Sequence, residues 1–233
     1  MDKQADRSFM DLPASFFPDA ALWLSNGAAL SLLALAARRV AWRGLPLPAC
    51  NAWMGACVLA LALWLLRGGV APGLSFHLLG AGLFTLMMGP WLALLALALP
   101  LLALALSGQA DLPALGLNYL TMILPPVALS AAALRLSQRA LPSNLFVYVF
   151  VNGFLAGGAG MFAAGLSGLS ALGLAGAYPW DQLLEETLPF YFLLSWSEAF
   201  TTGLLAAVLV VYRPEWVATF DDGRYLGPRR RAR

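Results

Sequence analysis

The chain has 233 residues, of which 61% are hydrophobic and 11% charged, and its mean hydropathy is +0.75. Ordinary soluble domains carry about 25% charged residues, so this composition excludes a water-soluble globular domain. The formal net charge of +2 is too small to indicate a nucleic-acid partner. The composition therefore predicts an integral membrane protein.

The charged residues form short islands between apolar runs of about 20 residues, the length that an α-helix needs to cross about 30 Å of hydrocarbon. Alternating segments of about ten residues, which are typical of outer-membrane barrels, do not occur in the sequence. We therefore predict an all-α bundle of about seven transmembrane helices. The predicted spans are residues 19–37, 48–66, 75–88, 91–107, 114–134, 142–163 and 187–212.

Proline and glycine set the expected breaks between and within these spans. Gly89 and Pro90 separate the third and fourth spans, which predicts a helical hairpin instead of one long helix. Pro125 and Pro126 are expected to interrupt the fifth span. The glycine-rich stretch that follows residue 163 is expected to be weakly helical or looped.

The basic residues predict the orientation. With seven spans and the N-terminus outside, eleven of the fourteen lysines and arginines lie on the inner side, as the positive-inside rule requires. Residues 1–18 are then an extracytoplasmic segment, residues 19–213 the transmembrane domain and residues 214–233 a basic cytoplasmic tail. The expected location is the bacterial inner membrane, with several passes.

His77 is the only histidine, and it stands at the head of an apolar segment. Imidazole is the commonest metal ligand in proteins, so His77 is a candidate ligand; the alternative is a residue that caps a helix at the interface. Cys50 and Cys57 fall on one predicted helix about 10 Å apart along its axis, too far for a disulfide, and are expected to pack in the core.

Three further polar residues fall within predicted spans. Glu198 is the only carboxylate well inside a span, where an ionisable group is costly unless it has partners. It is expected either to pack or couple helices, or to belong to a functional pathway or subunit contact. Asn118 and Asn152 either hydrogen-bond neighbouring helices together or bind a substrate.

No sequence motif for nucleotide binding, nucleophilic catalysis or metallohydrolase chemistry occurs in the chain. We therefore expect a protein that is not an enzyme and has no intrinsic cofactor, and any active transport would require ATPase partners. An intramembrane enzyme built on His77 and Glu198 stays open as an alternative. It requires both side chains to face one cavity.

Four stretches resemble the CbiM/NikM family, the substrate-binding permease components of cobalt and nickel energy-coupling-factor ABC transporters. They are GLSFHLLGAGLFTLMMGPW at residues 73–91, GLNYLTM at 116–122, VNGFLAGG at 151–158 and SWSEAFTTGLLAAVLVVYRPEW at 195–216. The resemblance covers most of the chain in the same order. It implies uptake of a divalent transition metal ion, with one coupling membrane subunit and two ATPase subunits as partners.

The same resemblance implies a metal site made by the start of the chain together with the histidine of the His-Leu-Leu-Gly motif, here His77. The family opens with Met-His-Ile-Pro, whereas the nearest match here is Met10-Asp11-Leu12-Pro13, preceded by nine residues. A carboxylate is a harder ligand than imidazole, so this change favours a weaker site for nickel or cobalt. The expected metal ligands are His77 and Asp11, with Asn118 as a further substrate-binding residue.

These observations lead to the hypothesis of a permease-like subunit that captures a divalent metal ion from outside the inner membrane. The alternative is a divergent relative that does not transport metal. Such a relative would act as a structural or regulatory membrane partner, or would carry another small solute. The altered opening favours the alternative, which predicts no stabilisation by metal.

Overall fold

A computed structural model describes residues 12–66 and 68–226, and this part of the chain is helical apart from one short β-ribbon. The ribbon pairs β1 (Gly68–Ala71) with β2 (Leu74–Phe76) in antiparallel order. The helices are α1 (Asp19–Arg39), α2 (Leu47–Leu65), α3 (Ala81–Met88), α4 (Pro90–Leu106), α5 (Leu112–Ala140), α6 (Leu145–Leu174), α7 (Gln182–Tyr212) and the short α8 (Asp222–Tyr225).

Five of these helices, α1, α2, α5, α6 and α7, are long and apolar enough to cross a membrane, and α4 is a shorter apolar helix. Large apolar side chains on their outer faces are exposed: Trp23 is 78% exposed and Phe146 is 70% exposed. Exposed apolar surface on this scale fits lipid and not water. The structure agrees with the prediction of a multi-pass helical membrane protein.

The ribbon was not anticipated, and it changes the third predicted span. Residues 75 and 76 belong to the strand and residues 77–80 form a loop without regular structure, so helix α3 begins only at Ala81. Its eight residues rise about 12 Å, well short of the roughly 30 Å needed to cross a membrane. Gly80 and Gly89, at φ 69° and 77°, end the helix on both sides, since left-handed backbone is open chiefly to glycine. The predicted span at residues 75–88 is therefore a half-helix, although the predicted hairpin break before α4 is present.

Helix α3 occupies the centre of the bundle, in contact with α4, α5, α6 and α7. All of its residues except Leu83 are buried. Around this centre, α5 packs on α6, α6 packs on α7, α1 packs on α4 and α5, and α2 packs on α4. Both cysteines lie on α2 as free, partly buried thiols.

The proline pair widens α5 instead of breaking it. A π-helical turn, Tyr119–Ile123, precedes Pro125 and Pro126 in an otherwise continuous helix. Proline has no N–H and its ring clashes with the carbonyl one turn earlier, and a wider turn relieves this clash. The predicted interruption is thus a local change of helix type.

The glycine-rich stretch after residue 163 continues α6 as far as Leu174, where the prediction of a weakly helical or looped segment is wrong, and only residues 175–178 beyond it form turns and bends. Its glycines are sites of close packing. A Cβ at Gly165 would lie 2.5 Å from the Tyr191 ring, and one at Gly173 would lie 2.6 Å from the Trp180 ring. Tertiary contact therefore overrides the low helix propensity of glycine here.

Helices α1 and α5 cross so closely at Gly116 that we expect Gly116→Ala to lower the free energy of unfolding by about 3 kcal/mol. A Cβ there would lie 2.4 Å from the Cα of Asn26, and neither backbone can yield easily. Gly27→Ala on the facing helix is the matched control, because a Cβ there meets nothing within 4 Å. It should change stability by less than about 1 kcal/mol. Unfolding in detergent checks both; equal stabilities would contradict the crossing.

Candidate metal site

A small cavity lies at one end of the bundle, between the start of the described chain, the β-ribbon and the helices α5, α6 and α7. Its volume is about 40 Å³. The residues that line it are Leu12, Gly73, Ser75, His77, Leu79, Thr121, Met122, Met161, Ala164, Gly165, Gly168 and Tyr191. Cavities that bind organic ligands usually measure about 300–1,000 Å³, and a water molecule needs about 10–15 Å³. This cavity therefore fits an ion with one or two waters.

His77 lies in this cavity and is only 6% exposed. It belongs to the segment between β2 and α3, so it does not cap a helix at the surface. Its Nδ1 lies 3.2 Å from the carbonyl oxygen of Leu78. In the tautomer in which Nδ1 donates to that carbonyl, Nε2 carries the lone pair that a metal ion requires.

Trp64 of α2 supports the His77 segment. Its ring is fully buried, lies 5.6 Å from the His77 ring between centroids, and is tilted by 56°. The indole N–H donates to the carbonyl oxygen of Leu79 at 3.2 Å. The imidazole is thus held by an aromatic neighbour and by a fixed backbone.

Glu198 of α7 fixes the same segment from the other side. Its two carboxylate oxygens accept the backbone N–H groups of Leu79 at 2.9 Å and Gly80 at 2.7 Å. Gly80 directly precedes α3, where a negative group also interacts favourably with the helix dipole. Glu198 therefore fastens the loop that carries His77 to α7.

Among the described residues that line the cavity, Glu198 does not appear. Both of its oxygens are used by the backbone of the His77 segment. The intramembrane enzyme hypothesis required His77 and Glu198 to share one cavity, and this arrangement does not meet that requirement.

Asn118 of α5 anchors the start of the described chain. Its Oδ1 accepts the backbone N–H of Leu12 at 2.8 Å, and its Nδ2 donates to the carbonyl oxygen of Leu12 at 3.2 Å. Asp111 adds a second anchor, because it accepts the N–H of Ala14 at 2.9 Å. Asp11, the other predicted ligand, lies outside the described residues, but its neighbour Leu12 lines the cavity.

We expect Asn118→Ala to weaken the response to metal without unfolding the protein, because it releases the segment that enters the cavity. Asn144→Ala is a matched control: Asn144 also accepts one backbone N–H, that of Val147, but at the start of α6. That variant should lose about 1 kcal/mol of stability and keep the full metal response. Metal-induced shifts in melting temperature check the pair. An unchanged shift in Asn118→Ala would contradict a role for this segment.

Other donor groups of the cavity were not singled out from the sequence. Thr121 and Tyr191 use their hydroxyls within the fold, donating to the carbonyl oxygens of Leu117 at 2.9 Å and Ser75 at 3.3 Å. Met122 and Met161 add thioethers, which are soft ligands. Residues 121 and 122 fall within the GLNYLTM motif, but Met161 and Tyr191 lie on other helices and carry no local signal.

Within residues 12–66 and 68–226, no group of three histidine, cysteine, aspartate or glutamate side chains is placed to hold a metal ion. His77 is therefore the single strong ligand that this part of the chain brings to the cavity. A metal ion in this cavity would therefore need further ligands of other kinds, such as the thioethers or backbone carbonyls of the lining.

Tyr178, which follows α6, contacts the turn of the β-ribbon. Its hydroxyl donates to the carbonyl oxygen of Pro72 at 2.8 Å, and its ring meets that of Phe16 edge to face at 5.9 Å. Burial raises the pKa of the Tyr178 phenol, so the group stays a hydrogen-bond donor at neutral pH. Tyr178 thus links the turn of the ribbon to the N-terminal segment.

Fold and site together define a multi-pass membrane protein with an ion-sized cavity that bears an imidazole, an arrangement suited to a metal transport component. Residues 11–216 match the family CbiM, "Cobalt uptake substrate-specific transmembrane region". The chain belongs to this family, and hence to the membrane components of transition metal uptake, a class that is typically non-enzymatic.

Two solved structures share the fold. One, described as the crystal structure of a transition metal transporter, is 22% identical and aligns over 85% of this chain and 92% of its own, with a TM-score of 0.74. The other, described as a truncated transition metal transporter, is 21% identical and aligns over 88% of this chain and 98% of its own, with a TM-score of 0.69. Among curated proteins, none matches this sequence significantly.

Proposed function

We propose that the chain captures a single divalent transition metal ion, of the cobalt or nickel type, in the cavity beside His77 and passes it across the membrane. The size of the cavity, about 40 Å³, carries this proposal. It accommodates an ion with one or two waters but no organic solute, which argues against the alternative of another small solute larger than an ion.

His77 and Asp11 are the proposed metal ligands. His77 supplies a held imidazole, and Asp11 is next to Leu12, whose backbone Asn118 fastens beside the cavity. Asn118 acts through this segment, since its amide oxygen and nitrogen already bond Leu12. A carboxylate in the place of the family's histidine makes the site harder and weaker for nickel.

The same proposal includes seven passes, in which the half-helix α3 and the segment before it together make the third, with the cavity on the outer side of the bacterial inner membrane. Exposed arginines support this orientation. They lie at the C-terminal ends of α1, α5 and α7, which are the helix ends far from the cavity, and arginines are enriched on the cytoplasmic side of membrane proteins; they are Arg38, Arg39, Arg139 and Arg213. Residues 1–18 are then extracytoplasmic and residues 214–233 cytoplasmic. A coupling membrane subunit and two ATPase subunits would provide the energy, as the family implies.

Thermal unfolding of the purified protein tests the proposal, with Ni²⁺, Co²⁺, Zn²⁺ and Cu²⁺ titrated into chains that start at Met1 and at Met10. A metal that binds only the folded state adds about 2.7 kcal/mol at a concentration of 100 Kd, which raises Tm by several degrees. We expect such a rise for Ni²⁺ or Co²⁺. No rise for any metal with either start would favour the structural or regulatory alternative.

A further inference from the structure

Buried polar side chains follow α3 from the cavity to the opposite end of the bundle. We call them the polar column; its members are Thr202, Ser130, Asn152, Ser137, Tyr148 and Thr219. Ser130, Asn152 and Tyr148 are completely buried, whereas Thr219 is half-buried at the far end. The interior of a membrane protein rarely holds such a series without a function.

The upper part of the column surrounds Gly82, near the start of α3. A Cβ at Gly82 would lie 3.3 Å from Cγ2 of Thr202 and 3.5 Å from Oγ of Ser130. The Cα of Gly157, on α6, would lie 3.2 Å from the same Cβ. Gly82 follows two residues after Gly80, whose N–H Glu198 accepts, and three residues after Leu79, which lines the cavity.

The lower part leads to the far surface. Ser137 donates to Oδ1 of Asn152 at 2.8 Å. Further along, the hydroxyls of Tyr148 and Thr219 lie 2.6 Å apart, and Thr219 donates to the carbonyl oxygen of Leu86 at 2.7 Å. The column thus reaches the C-terminal end of α3 and the segment that follows α7.

Two atoms in the middle of the column lack a hydrogen-bond partner among the described residues: Oγ of Ser130 and Nδ2 of Asn152. A buried polar atom without a partner is costly, and most such atoms in proteins meet a water or an ion. Polar side chains that hold membrane helices together do so by hydrogen bonds between the helices. The Oγ of Ser130 and the Nδ2 of Asn152 make no such bond, so helix packing does not explain why these two atoms are buried.

We infer that the polar column is the route by which the captured ion, with water, leaves the cavity for the opposite side of the membrane. This inference rests on the proposed function. Hydroxyl oxygens and the amide oxygen of Asn152 can replace part of an ion's hydration shell, and the Nδ2 of Asn152 can donate to a water that travels with the ion. The neutrality of these groups keeps the ion from being trapped. The route is closed in this structure, since a Cβ at Gly157 on α6 would lie 2.9 Å from the Cβ of Thr202 on α7, so transport requires α6 and α7 to separate there.

Asn152→Leu and Ser130→Ala test this route. Each removes one unpartnered atom, and Ser137 keeps the carbonyl oxygen of Leu134 as an acceptor at 3.0 Å. We expect both variants to unfold at or above the wild-type temperature and to keep the full Tm shift with Ni²⁺ or Co²⁺. Uptake of radiolabelled metal, in cells that make the chain with its transport partners, should fall about tenfold in Asn152→Leu and about threefold in Ser130→Ala, because the path loses polar groups.

Ser25→Ala is the matched control, since Ser25 is a buried hydroxyl of α1 that donates to the carbonyl oxygen of Leu22, away from the column. It should leave uptake unchanged. Wild-type uptake in both column variants would overturn the route, and so would loss of the Tm shift together with uptake, which would place these residues in the capture site. Absence of any Tm shift and uptake in the wild type would instead remove the proposed function, and the route with it.

Discussion

His77→Ala is expected to lower metal uptake at least about tenfold and to abolish the metal-dependent rise in melting temperature. The imidazole is the single strong ligand that the described residues bring to the cavity, and it is buried, so no neighbouring side chain of its kind can replace it. Uptake in cells and thermal unfolding of purified protein measure the two effects.

Leu78→Ala is the control for this variant. Leu78 occupies the same segment but is not among the residues that line the cavity. Its truncation should cost some stability and leave the Tm shift in place. If His77→Ala kept the full Tm shift, the imidazole would not be a metal ligand.

Glu198→Gln is expected to destabilise the protein by about 2 kcal/mol and to weaken metal binding about 10- to 100-fold. The carboxylate of Glu198 accepts one N–H with each of its two oxygens, whereas glutamine has only one acceptor oxygen. Its NH2 group would therefore face the other backbone N–H, and two donors cannot form a hydrogen bond. The His77 loop then loses one of the two bonds that hold it to α7. Metal titrations by thermal unfolding measure both quantities.

Glu185→Gln provides the comparison, because Glu185 lies on the same helix and is exposed. It should leave both stability and metal affinity unchanged. Unaltered metal affinity in Glu198→Gln together with loss of uptake would contradict positioning of His77 and would assign Glu198 to coupling with partner subunits.

Two residues of the candidate site can be selected from the sequence alone because ionisable residues are rare in its apolar segments. His77 and Glu198 stand out as rare ionisable groups in apolar surroundings, where each residue is costly and therefore informative. What each does was not accessible. The partners of Glu198 lie 118 and 119 positions away in the chain, and those of Asn118 lie 106 positions away.

Prediction from hydropathy and helix propensity failed where an apolar stretch of sequence does not form one continuous helix. The third apolar run holds a strand, an extended loop and a half-helix, and hydropathy does not distinguish these from a helical span. The opposite error occurred after residue 163. The low helix propensity of glycine suggested a weakly helical segment or a loop there, but close packing of Gly165 against Tyr191 stabilises the helix as far as Leu174.

The sequence by itself determined the class of protein, the long helices and the identity of the candidate ligand, because hydrophobicity, chain breaks and rare residues are properties of single positions and short windows. The tertiary structure alone decided the size of the cavity, the clamp of Glu198 on the His77 loop, the anchor of Asn118 and the polar column. These depend on which atoms of distant helices meet, and many packings of the same apolar helices satisfy the same local pattern.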